Sequence, residues 1–90
     1  MKNFSEWKKY SGEIQDILGK TSHLIEHCCH NMGVQEYAVM ESKMYDLKRQ
    51  ILFWEKMDDP KRFVYELKGF ANWLCDFIAD KEREFWNEDS

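Results

Sequence analysis

Apolar residues recur at alternating steps of three and four along three long stretches of this chain, the period of an α-helix rather than the alternation of a strand. The first stripe passes through Phe4, Trp7, Ser11, Ile14, Leu18, Thr21, Ile25, Cys28 and Met32, and Tyr10, Ile17 and Leu24 widen it. Asn3 stands where an N-cap would, with Glu6 three residues on as in a capping box. Gly33 offers a stop just past the helix, in the left-handed conformation that glycine tolerates. The second stripe is Tyr37, Met40, Met44, Leu47, Ile51 and Trp54, ending before Met57-Asp58-Asp59-Pro60. In the third, Asp59 caps and Pro60 takes the first helical position, where its missing N–H costs nothing. Phe63, Leu67, Phe70, Leu74 and Phe77 then follow one line, with Val64, Ala71, Ile78 and Phe85 beside it.

These stretches predict an all-α fold, an antiparallel three-helix bundle with helices over about 4–32, 34–57 and 60–86, completed by dimerisation. Each helix would be about 36 to 42 Å long at 1.5 Å per residue, and the short connections between rods of similar length favour antiparallel neighbours. Residues 1–90 form one domain, since a core this small does not divide. Gly12, Gly19 and Gly69 fall inside helices and mark either close helix approach or local bends. Charge density from Asp80 onward predicts a frayed end.

Composition adds that 43% hydrophobic and 16% aromatic residues suffice for a dry core, while 33% charged residues keep the outside wet. The first residues lack the apolar run of a signal peptide, and no stretch reaches the roughly 18 to 20 apolar residues of a membrane span, so a cytoplasmic protein with no membrane partner is expected. Three cysteines, two of them adjacent at Cys28 and Cys29, predict reduced thiols, with Cys28 and Cys75 as small buried hydrophobes.

A net charge of −4 and scattered basic pairs, Lys8-Lys9, Lys48-Arg49 and Lys61-Arg62, argue against nucleic acid, whose affinity needs clustered cations. Asp76, Glu84 and Glu88 instead suggest an acidic face on the third helix that suits a basic protein surface. His23, His27 and His30, spaced by four and three, lie on one stripe opposite the apolar face and are the candidate metal ligands. Asp16 or Glu26 could complete the shell in a dimer. Glycine-rich phosphate loops, nucleophile elbows and His-Glu-x-x-His are absent, so the chain is read as no enzyme, and no cofactor is implied.

The second helix carries a further apolar line, Ala38-Tyr45-Leu52, beside Tyr37-Met44-Ile51, with Glu41, Lys48 and Glu55 between the two. Enclosing both lines in one bundle would bury three charges at a cost of several kcal/mol unless they are paired. A second chain packed on Ala38, Tyr45 and Leu52 relieves that conflict. Tyr65 and Trp73 fall outside the third helix's stripe and Phe53 falls outside both lines of the second, which makes them contact candidates.

Ala38, Tyr45, Leu52, Tyr65, Trp73 and Asp76 are therefore the expected partner-binding residues of a small homo-oligomer, a dimer, that binds another protein and acts as inhibitor or adapter by surface occlusion. Length, acidity and aromatic-rich helices are compatible with small regulators carried by bacteria and their phages, including inhibitors of host defence proteins. The alternative is a metal- or small-molecule-binding sensor whose site forms between the helices of a homo-oligomer.

Overall fold

The computed structural model describes residues 4–88, with side chains as far as Arg83. It is a three-helix bundle: α1 (Phe4–Asn31), α2 (Val34–Lys56) and α3 (Pro60–Glu88), with no strand among the described residues. Asn3 and the side chains of Glu84, Phe85, Trp86 and Glu88 lie outside what is described.

α3 is the central rod. It packs along its length against both α1 and α2, while α1 and α2 meet at only a few points. Trp7 near the start of α1 reaches Asp58 after α2, whereas Glu13 pairs with Lys68 and His27 with Glu82, so α1 runs antiparallel to α2 and parallel to α3. Both of the latter pairs span 55 residues, and their 14-residue separation returns each side chain to the same face after four turns.

The molecule is long and thin, 56 × 21 × 16 Å, with a radius of gyration of 15.4 Å. A compact chain of this length would have about 12 Å. Little interior is therefore available, and it forms two clusters. Ile17, Val64 and Leu67 make one; Cys28, Met40, Phe70, Leu74 and Ile78 make the other, and Leu47 packs against both. α3 supplies most of the buried positions, α1 adds Ile17, Thr21 and Cys28, and α2 adds Met40. Because α1 has essentially one neighbour, its buried arc is narrower than its apolar stripe: Leu18 is 49% exposed and Phe4 75%. The buried Thr21 hydroxyl donates to the Ile17 carbonyl at 2.7 Å and so needs no other partner.

The junctions follow from capping chemistry, with one correction. Gly33 is extended (φ −79°, ψ 178°) and opens α2 as its N-cap rather than closing α1 in a left-handed turn, its carbonyl accepting from the Tyr37 N–H at 3.1 Å. The left-handed residue is Asp58, with φ 59°. Around it the Asp58 N–H donates to the Glu55 carbonyl at 3.1 Å and the Asp59 N–H to the Trp54 carbonyl at 3.0 Å, the paired bonds of a Schellman end. Asp59 caps α3 as expected: its carboxylate accepts from the Arg62 N–H at 3.1 Å, and Pro60 is buried at the first helical position. The internal glycines mark no close approach, since a Cβ at Gly12, Gly19 or Gly69 would meet nothing within 4 Å.

Candidate functional site

α2 turns Met40, Met44, Leu47 and Ile51 toward α3. Its second apolar line has no cover: Ala38 is exposed, Tyr45 is 61% exposed and Leu52 53%. This follows from the layout, because a helix touching one central rod along its length hides one line of side chains and shows the other. Glu41 and Glu55 are half-buried along the border and Lys48 is exposed, so the three charges keep contact with water. Among the described residues, neither Glu41 nor Lys48 has an ion-pair partner.

A groove of about 410 Å³ runs beside this line, walled by Val39, Lys43, Asp46 and Trp73 and bordered by Ala38. Trp73 stacks on Phe77 (centroids 5.0 Å, planes 12° apart) and on Phe70 (6.0 Å, 26°), and the Lys43 ammonium stands 5.5 Å from its ring centre. It is thus half-buried and tied to the core, which corrects its reading as a residue off the packing surface of α3. A central helix has two packing sides, and Phe70, Trp73 and Phe77 form the one that meets α2.

Tyr65, 65% exposed, lies on the back of α3 with the Arg62 guanidinium 5.9 Å over its ring, and Asp76 is exposed three turns further on the same back. The three α3 candidates therefore do not gather: Tyr65 and Asp76 share the back while Trp73 faces α2. Val39 was the residue that sequence reasoning missed. Its signal is seven-residue spacing, Val39-Asp46-Phe53, which puts it on one face of α2 with Phe53, itself 50% exposed and edge-on to Trp54.

His23, His27 and His30 are all exposed. Among the described residues no three His, Cys, Asp or Glu side chains come close enough to hold one ion, so the three histidines do not converge as metal ligands within the chain. His27 borders the core rather than opposing it: its Nε2 lies 2.5 Å from the Glu82 carboxylate on α3, and the Asn31 amide approaches its Nδ1 at 3.3 Å. Both ring nitrogens are thereby engaged by protein groups.

All three cysteines are free thiols, Cys28 buried and Cys29 exposed; Cys75 is exposed too, correcting its expected burial. Burial pushes the Cys28 thiol pKa up, and the neighbouring Cys29 and Glu36 add to the rise. Its sulfur rests 3.6 Å from the Met32 thioether, an apolar setting that suits packing.

These surfaces define a helical bundle with uncovered aromatic and apolar side chains on α2 and α3. No helix among them is long and apolar enough to cross a membrane. No family model, curated protein or solved structure matches the chain.

Proposed function

We propose that this chain is a non-enzymatic protein-binding module that works as an inhibitor or adapter, covering a surface of another protein. One observation carries the reading: α2 buries only Met40 fully, yet on its groove side it displays Val39 and Phe53, each at least half exposed. Exposed apolar side chains beside a groove suit an interaction surface, because leaving them in water forgoes about 25 cal/mol for each Å².

The proposed contact spans two sides of the molecule, the groove side of α2, which Trp73 faces, and the back of α3, where Tyr65 and Asp76 lie. Val39 and Phe53 supply apolar anchors, Trp73 a rigid aromatic wall, and Tyr65 an aromatic ring with a hydroxyl at its tip. Exposed Asp76 on the back of α3, with the net charge of −4, suits a partner whose facing surface is basic.

The test is capture from cells that carry the protein, using the full chain and two surface variants, Val39→Glu and Tyr65→Ala with Asp76→Lys. Circular dichroism confirms that each variant keeps its helices. The reading expects at least one protein bound by the original chain and lost from both variants. Capture profiles identical across all three chains would overturn it.

A further inference from the structure

We propose that the outer face of α2 pairs with α2 of a second copy of this chain, antiparallel, about a two-fold axis passing beside Tyr45. This goes beyond the partner reading and uses a different side of the helix, so either can fail without the other.

The choice of occupant comes from how charge and size are distributed along this face. Ala38, Tyr45 and Leu52 follow one line at seven-residue steps; half-buried Glu41 and exposed Lys48 follow a second line beside it, on the side nearer α3. A two-fold perpendicular to the plane of two antiparallel helices turns each line toward its own copy. Ala38 and Leu52 each stand seven residues from Tyr45, about 10.5 Å along the axis, on opposite sides of it. Ala38 of one chain therefore meets Leu52 of the second copy, small against large, and this happens twice. Tyr45 meets Tyr45 on the axis, where two offset rings pack favourably.

The charged line obeys the same operation. Glu41 precedes Tyr45 by four residues and Lys48 follows it by three, so Glu41 of each chain comes to within about 1.5 Å in height of Lys48 of the other. Both side chains lack an ion-pair partner among the described residues, and one operation supplies two pairs. The parallel arrangement in register would set Glu41 against Glu41 and Lys48 against Lys48. A self-complementary pattern of this kind singles out a second copy, because an unrelated surface gives no reason for the reversal of charge about Tyr45.

Sedimentation equilibrium of the full chain from micromolar to millimolar concentration tests the pairing. The original chain is expected to show twice its monomer mass in the upper part of that range. Tyr45→Glu, at an exposed position where circular dichroism should stay unchanged, is expected to weaken association by at least about tenfold. Glu41→Lys alone and Lys48→Glu alone each convert both ion pairs to like-charge contacts and should weaken it roughly tenfold. The double variant Glu41→Lys with Lys48→Glu restores opposite charges and should recover most of the loss. A monomer at every concentration overturns the proposal, as does a dimer indifferent to Tyr45→Glu. A dimer weakened by each single swap but not recovered in the double variant overturns the antiparallel register.

Discussion

The Trp7 indole N–H donates to the Asp58 carboxylate at 2.6 Å, joining the first turns of α1 to the connection between α2 and α3. Since α1 and α2 otherwise meet at few points, this bond, with the Trp7 ring set edge-on to Phe63 at 5.3 Å, fixes how α1 is laid along the other two helices. Asp58 serves twice, because it also occupies the left-handed position that ends α2. Asp is among the few non-glycine residues that take that conformation at modest cost.

The two roles separate by substitution. Asp58→Ala loses the carboxylate and strains the turn, so a loss of about 2 to 3 kcal/mol is expected from chemical denaturation. Asp58→Gly loses the carboxylate but suits the backbone, and should cost about 1 kcal/mol less than Asp58→Ala. A double-mutant cycle of Trp7→Phe with Asp58→Gly isolates the bond itself, expected at about 1 kcal/mol or more of coupling. Additive effects would show that it contributes nothing.

Thiol chemistry should distinguish Cys28 from its neighbour. Under native conditions a thiol reagent is expected to label Cys29 and Cys75 fast and Cys28 only on unfolding, because the thiolate is the nucleophile and burial disfavours it. The same displacement links stability to pH. With the folded pKa raised above its ordinary 9.0, the neutral thiol favours the folded state; that stability is present below pH 9.0 and is lost as pH rises through the raised value. Thermal melts of Cys28→Ala should therefore fall less steeply between neutral pH and pH 10 than those of the original chain. Parallel curves would show that Cys28 ionises as freely folded as unfolded.

Helix ends and internal positions were legible to different degrees. Asp59-Pro60 announces the start of α3 because a capping carboxylate followed by a proline suits a helix start, and the structure has that cap. Gly33 misleads: only Met32 and Gly33 separate α1 from α2, and a glycine there can close one helix or open the next. Asp58 carries a weak signal, since the left-handed position is more often filled by glycine. The exposure of Ala38, Tyr45 and Leu52 was readable as two apolar lines competing for one core. The packing of Trp73 against the core was not, because it depends on α3 lying in the middle, and periodicity along one helix does not say how many neighbours that helix has.

The internal glycines offer a route to a stiffer molecule. Gly12, Gly19 and Gly69 are exposed, lie within helices and have open space where a Cβ would stand. Replacing each by alanine removes the entropic cost of glycine in a helix, with an expected gain of about 0.5 to 1 kcal/mol per site. Each added Cβ would stand in open space, so the gains should add, and the triple variant should melt several degrees higher. No gain, or a loss, at any of them would reveal a neighbour that the isolated chain does not provide, and Gly69, which lines a second cleft of about 290 Å³ between α2 and α3 beside Trp73, is the most informative of the three.

Trp54 carries a local cost that one substitution should expose. Its Nε1 is buried without a hydrogen-bond partner among the described residues, while its ring packs edge-on to Phe53 at 4.9 Å and lies under the Arg62 guanidinium at 5.5 Å. A buried donor left unpaired costs about 1 to 3 kcal/mol, comparable to what the extra ring of tryptophan contributes by packing at a half-buried position. Trp54→Phe keeps an aromatic ring at the position and deletes the donor, so its net effect on unfolding free energy should stay within about 1 kcal/mol. Trp54→Ala deletes the packing as well and should cost about 2 to 3 kcal/mol. Equal losses in both variants would mean that the indole N–H is satisfied in solution, with water or a second chain as its acceptor, and hydrogen exchange of that indole proton, slow for a bonded donor, would distinguish this outcome from simple loss of volume.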